Sequence, residues 1–403
     1  MRHRRIRIVC ACLLLSVVSY GGLLAFSRKQ SLLPSDTHVS QVRPAASPKY
    51  LTATPKRPLA TPIPRPTFSA LRVEGTHIVN ADDEVMMLIG ASRSSLEYSC
   101  TGDGHFQLSD FEAMRSWGMN TVRIPLSSAF WANLDGACPN YHQTVEAAVS
   151  NAEAAGLYVI LDLHWNAPFS LPQDATGGGG QYPMPDTGKD VAFWEDIATH
   201  YHSDPAVIFE LFNEPHQVSW NTWYWGGPVW TQLYDGVTVE DQTGSYQAIG
   251  MQDLVNKVRA IAPDNLISIT GVYWGFDLSG LLQDYALQAS NIVYSTHPYD
   301  YGDKQLINWP DAFGDVADQV ATISTEFGSY DCESGYVAQA IAYFEAHMMS
   351  WIAWNWSPDA CSDPSLLADW SGTPNYPYGA FIRLKMIQST QSTDLYAGHD
   401  AII

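Results

Sequence analysis

Two glutamates carry the clearest chemistry in this sequence. Glu214 lies in VIFELFNEP and Glu326 in ATISTEFG, each where a short apolar run turns polar. A carboxyl group at such a boundary is desolvated, which is costly unless the group is paired or protonated. A neutral carboxylic acid facing an ionised carboxylate is the pairing that cleaves a glycosidic bond. The first protonates the leaving oxygen and the second attacks the anomeric carbon. Side chains able to tune such a pair stand at the same position of other apolar runs. These are Arg123 in TVRIPL, His164 in YVILDLHW, Asn213 directly before Glu214, His297 and Tyr299 in IVYSTHPY, and Trp354 in WIAWNW.

A common scaffold must gather residues so widely spaced. Eight β-like runs (85–92, 121–126, 158–165, 207–215, 266–274, 292–299, 321–328 and 351–356) alternate with amphipathic stretches such as FEAMRSWG, VAFWEDIATHY and YVAQAIAYFEAHM. Apolar strands separated by helices imply a parallel sheet covered on both faces, and eight of them imply a closed barrel. The expected fold class is α/β, a (β/α)8 TIM barrel. A short N-terminal β-hairpin is expected from LRVEGTHIV and VMMLIGAS flanking the turn-prone Asn80-Ala81-Asp82-Asp83. The fifth-to-sixth and sixth-to-seventh crossovers are thin in helix. An open doubly wound sheet is the alternative, but the glycine-rich phosphate turn of that fold is absent. In a barrel the C-terminal strand ends converge on one face, so the polar residues named above would share one mouth. By alternation Asp162 shares a face with His164, and Glu210 is expected in a lower layer beneath Glu214.

The ordered motifs VRIP, LDLHW, FNEP, HPY, TEFG and AWNW resemble glycoside hydrolase family 5, the cellulase family, over most of 71–388. The resemblance implies a (β/α)8 barrel with its acid/base after the fourth strand, here Glu214, and its nucleophile at the seventh, here Glu326. Arg123 is expected to keep Glu326 ionised and Tyr299 to hydrogen-bond the same carboxylate. Asn213 is expected to hold the sugar 2-hydroxyl, His297 to orient Glu214, and His164 to contact a sugar hydroxyl. Trp354 would form a stacking floor, and Trp165, Trp223, Trp225, Trp274 and Trp309 are candidate aromatics for flanking subsites. The implied activity is retaining hydrolysis of a β-linked polysaccharide, foremost as an endo-β-1,4-glucanase. A β-mannanase or another β-glycanase, including an exo-acting one, a transglycosylase, and a non-catalytic carbohydrate-binding barrel are the alternatives. The expected partner is a β-glucan or related polysaccharide, met by a monomer. Two-carboxylate hydrolysis requires no cofactor, and neither an HExxH pattern for a metal nor a G-x-S-x-G elbow is present.

Charge and cysteine usage set the surroundings. Residues 1–66 hold eleven of the 21 basic residues and one of the 42 acids, which leaves ten bases against 41 acids in 67–403. So acidic a body repels phosphate backbones, which argues against nucleic acid as a partner. Residues 1–27 combine the basic MRHRRIR with an uncharged apolar run, as a signal peptide or a membrane-retained signal anchor does. Residues 28–67, rich in Pro and Thr, read as an extended linker. The catalytic domain is expected over 68–403, outside the cytoplasm, either secreted or anchored facing the extracellular side. Beyond the N-terminal run, Cys100, Cys138, Cys332 and Cys361 suit two disulfides in an exported chain. Three pairings are open. Cys100–Cys138 with Cys332–Cys361 is favoured, because each pair would tie neighbouring loops on one barrel face.

Overall fold

Alternation along the strands builds the scaffold. The computed structural model describes residues 66–168, 179–232 and 243–396. Its strands are β1 (Arg72–Glu74), β2 (His77–Val79), β3 (Ile89–Ser92), β4 (Thr121–Ser127), β5 (Tyr158–Trp165), β6 (Val207–Glu210), β7 (Gly226–Gln232), β8 (Thr243–Ile249), β9 (Ile267–Thr270), β10 (Ile292–Ser295), β11 (Thr322–Ser324) and β12 (Ser350–Ala353). Eight of these close into a parallel barrel in the order β3-β4-β5-β6-β9-β10-β11-β12, with β12 pairing back to β3. All eight expected runs therefore supply a barrel strand. Closure brings β3 and β4 so near that a Cβ on Gly90 would meet the Thr121 carbonyl oxygen at 1.8 Å, so only glycine fits there.

The period of two sorts each strand into two cores. Ile160, Ile208, Val293, Ile323 and Ile352 pack together with Leu71 and Ile78 from the N-terminal segment, filling the lower barrel. Their neighbours Val159, Leu161, Phe209, Ile267, Ile269, Trp351 and Ala353 face the helices in a second, larger core. Those helices are α1 (Leu108–Ser116), α2 (Ser128–Trp131), α3 (Tyr141–Ala154), α4 (Lys189–Tyr201), α5 (Trp220–Trp225), α6 (Met251–Ile261), α7 (Asp315–Ala317), α8 (Gly335–Ala346) and α9 (Tyr378–Tyr396). In α6, for example, Met251, Leu254, Val255 and Val258 recur at helical spacing and are all buried. The fifth-to-sixth crossover contains only the 3-10 turn Ser279–Leu282, and the sixth-to-seventh only short 3-10, π and α turns, as their sparse helical pattern suggests.

The hairpin differs from expectation. β1 and β2 pair antiparallel with Glu74 opposite His77, turning at Gly75-Thr76, so both arms lie within 72–79. The Asn80–Asp83 turn does form, with the Asn80 side chain accepting from the Asp82 and Glu84 amides, but it supports only the single bridge Val79–Val85. The run 85–92 is instead committed to the barrel through β3. A second, unforeseen hairpin, β7–β8, leaves the fourth barrel strand's loop and pairs Gly226 with Ile249.

Both expected disulfides are present, Cys100–Cys138 and Cys332–Cys361. The first joins the loop after β3 to the loop before α3, and the second joins the loops after β11 and β12. The expected signal or anchor segment 1–27 and all but the end of the 28–67 linker lie outside the described residues. Among the described residues no helix is long and apolar enough to cross a membrane.

Candidate active site

Above the apolar plug, inward-facing positions become polar. Arg123 on β4 is fully buried, and such a charge must be paired. Its guanidinium contacts Asp162 on β5 at 2.8 Å, Glu210 on β6, and Glu326 just past β11 at 2.6 Å, and it donates to Asn213 Oδ1 at 2.7 Å. Burial alone would favour losing the proton, but three carboxylates overcome this and raise the Arg123 pKa well above its usual range. The Asp162 carboxyl is pushed up to about 7 by burial, opposed by Arg123. Asp162 also holds His164 Nδ1 at 2.7 Å, so the His164 ring is fixed at its base.

Glu326 and Glu214 differ in their partners. Glu326 Oε1 accepts from Arg123 and Oε2 from the Tyr299 hydroxyl at 2.7 Å. Burial and the neighbouring Glu326 raise the Tyr299 pKa far above normal, so that hydroxyl remains a donor. Glu214 has no guanidinium against it. Burial raises its pKa, and Lys304, His164 and Arg123 partly oppose the rise. Oxygens of the two glutamates and a ring nitrogen of His297 lie within 4.8 Å of one another. Among the described residues this is the group with donor atoms close enough to hold a metal ion, and it is also the convergence that two carboxyls sharing one sugar ring require.

The hydrogen bonds around His297 fix its tautomer. Thr325 has one hydroxyl proton, and its carboxylate partner Glu210 can only accept it. The Thr325 oxygen must therefore accept from His297 Nε2, 2.8 Å away. Burial lowers the His297 pKa to about 4, so the ring is neutral near pH 7 and its Nδ1 is an acceptor. The group 3.1 Å from that nitrogen is Glu214 Oε1, which can donate only as a carboxylic acid. Gly275 permits this placement: a Cβ there would lie 2.9 Å from the His297 ring, and its φ of +66° suits glycine.

Around the pair, Asn213 and His164 line the centre, with His164 Nε2 3.5 Å from Asn213 Nδ2. Trp354 stacks near the His164 ring at 5.5 Å, and its indole N–H donates to Asp363 at 2.6 Å. Half-buried Trp165 follows His164 and lies 6.1 Å from Tyr98, while half-buried Trp274 stacks at 3.6 Å on His216, two residues beyond Glu214. Three aromatics depart from the subsite expectation. Trp223 and Trp309 are fully buried, with their N–H groups on the carbonyls of Thr270 and Lys304. They pack beneath the loops, where an indole covers much apolar area while its N–H is satisfied. Trp225 is exposed but faces the outer flank, beside the solvent side of α6. Sequence reasoning missed Lys304, Thr325 and Asp363. Lys304 is a buried amine donating to the carbonyls of Trp274 and His297, and it lies in a loop with no periodicity to mark it. Thr325, adjoining Glu326 in STEFG, was the legible one.

The profile of the family Cellulase (glycosyl hydrolase family 5) matches residues 88–360. That range contains every group above except Asp363. Endoglucanase E-5 of Thermobifida fusca is 23% identical over 351 residues, covering 81% of this chain and 65% of that protein. Endoglucanase N of Pectobacterium atrosepticum is 25% identical over 244 residues, 60% of this chain and 45% of its own length. The chain thus spans less than two thirds of either curated relative. A beta-glucanase of Saccharophagus degradans has a TM-score of 0.63 at 22% identity, covering 82% of this chain and 98% of that one. The catalytic domain of a Thermobifida fusca endoglucanase has a TM-score of 0.55 at 20% identity, covering 79% and 98%. These two structures share the barrel fold. With the family profile matching well over half of its length, the chain belongs to the cellulase family, glycosyl hydrolase family 5.

Proposed function

We propose that residues 68–403 form a retaining β-glycosidase that cleaves β-1,4-glucan internally, with Glu214 as acid/base and Glu326 as nucleophile. The observation that carries this reading is the asymmetry of two carboxyls whose oxygens lie within 4.8 Å. One faces Arg123 and Tyr299, and the other faces the acceptor nitrogen of His297. Retaining enzymes hold their carboxyls about 5–5.5 Å apart, whereas inverting enzymes need about 6.5–9.5 Å to admit a water. In the first step Glu214 gives its proton to the glycosidic oxygen as the bond to the anomeric carbon breaks. Glu326 forms a new bond to that carbon. In the second, Glu214, now a carboxylate, takes a proton from water. The hydroxide so formed displaces Glu326, consuming one water per bond cleaved. Asn213 and His164 would contact hydroxyls of the sugar at this ring, and Trp354 would support its apolar face, with Trp165 and Trp274 flanking.

Glucan and internal cleavage are supported by relatives named as endoglucanases. Export is supported by the apolar N-terminal run and the two disulfides. The test is hydrolysis of carboxymethyl-cellulose, lichenan, mannan and xylan side by side, with proton NMR of the first product. Carboxymethyl-cellulose should be cut with a fast fall in viscosity, and the β-anomer should appear first. Turnover of mannan alone would replace the glucanase reading. An α-anomer first would remove Glu326 as nucleophile, and glycan binding without turnover would leave a binding barrel.

A further inference from the structure

We propose a second carbohydrate-binding site on the outer flank of the barrel, built on Trp225 and extended by Trp230, that takes a β-linked glucan chain. The inference rests on the glycan reading above but uses none of the groups of the barrel mouth. A cavity of about 550 Å³ lies between the β7–β8 hairpin and α6, lined by Trp225, Gln247, Asp253, Asn256 and Lys257 among others. This volume falls within the range of small-ligand sites. Asp253, Asn256, Lys257 and Ala260 recur at helical spacing on α6, on the side opposite Leu254, Val255 and Val258, which are buried towards the barrel. The cavity therefore opens away from the mouth.

Its lining suits a sugar. Trp225 is 66% exposed and Trp230 is 74% exposed, although an indole is among the side chains with most to gain from burial. Trp225 has an edge contact with the Tyr224 ring at 4.5 Å, yet both indoles keep most of their area in solvent, in contrast to the buried Trp223 two residues before Trp225. Pro228 pairs with Gln247 and Trp230 with Ser245, so Trp230 stands on the same hairpin face as the cavity wall, about 7 Å further along. Two exposed indoles, one in the cavity and one beyond it, match an extended chain with repeated apolar ring faces. The Gln247 amide, the Asn256 Nδ2 donor, whose Oδ1 already accepts from Gln252 at 3.0 Å, and the Asp253 carboxylate offer donors and acceptors that fit sugar hydroxyls. One isolated sugar would use Trp225 alone. The second ring favours a polymer, which such a site would hold near the mouth.

The test uses the full chain and its Trp225→Ala, Trp230→Ala and double variants. Hydrolysis of cellotetraose should be unchanged, because neither ring belongs to the mouth. Binding to insoluble cellulose and insoluble mannan is measured in a Glu326→Gln background, so that polymer is not consumed. Retention on insoluble cellulose should fall at least about fivefold in the double variant, and a loss on mannan alone overturns the glucan assignment. Retention equal to the parent, with thermal unfolding unchanged, overturns the second site. Equal losses on cellotetraose and polymer would also overturn it, by assigning the rings to the cleft. Failure of the wild type to hydrolyse any glycan would instead overturn the functional reading, so the two failures are distinct.

Discussion

Glu214 stands between opposing influences. Burial raises its pKa, while the buried ammonium of Lys304 is the largest influence lowering it. In the proposed mechanism the proton must be present when the leaving oxygen departs, so the alkaline limb of kcat/KM should report this group. In Lys304→Met that lowering influence is gone, and the limb is expected to move to higher pH. In Thr325→Val, His297 Nε2 loses its acceptor. The ring is then free to present Nδ1–H to Glu214, which stabilises the carboxylate and moves the limb to lower pH. Two pH-rate profiles against the parent check both signs. A limb that stays in place, or moves the other way, in either variant would mean that the replaced group does not govern the proton on Glu214.

At the scale of elements, the loop after β12 holds Trp354, the proposed sugar platform. Asp363 accepts from the Trp354 indole and from Asn355 Nδ2 at 3.0 Å, so its truncation leaves both donors without that partner. Asp363→Ala is expected to lower kcat/KM roughly tenfold, with most of the loss in KM. Unchanged steady-state kinetics would show that the platform does not depend on this residue. The same loop marks how far the sequence could be read. Strands and the carboxyls at their ends were legible because period two and a polar switch coincide there, as in YVILDLHW and STEFG. Glu210 was legible as a lower-layer residue for the same reason. Asp363 and Lys304 sit in loops, where no period relates a residue to its partner. The five candidate tryptophans were indistinguishable by composition, since an indole in a Gly-rich stretch can pack under a loop, as Trp223 does, or project from it, as Trp225 does. The hairpin was misplaced because both Gly75-Thr76 and Asn80–Asp83 are good turns, and pairing of 85–92 with the barrel decided between them.

For the whole molecule, buried ionisable groups shape stability against pH. Burial lowers the pKa values of His164, His216 and His297 to about 4, so each is neutral in the fold. The stability they contribute is present above their unfolded value near 6.5 and is lost as pH falls towards 4. Burial raises Glu97 to about 8 and Asp162 to about 7, so each holds its proton to a higher pH in the fold than in the unfolded chain. Their contribution is present below about 4 and is lost as pH rises through 7 to 8. The two trends oppose each other between about 4 and 6.5, and above that range only the carboxyl loss continues. Thermal unfolding should therefore be nearly level from about pH 5 to 6.5 and decline towards pH 8. Glu97→Gln, which carries no proton to lose, should flatten that decline. A melting temperature that climbs up to pH 8 would contradict this account.

Cys361 stands two residues before Asp363, and its partner Cys332 follows Glu326 in the next loop. One covalent tie thus runs from the loop that follows Glu326 to the loop whose Asp363 anchors the Trp354 indole. While the thiols are kept reduced, the two sides are joined only by weaker contacts. Pairing of the two thiols then fixes the rim beside Glu326 and the Asp363 anchor as one piece, so the rim is finished only once its cysteines have joined.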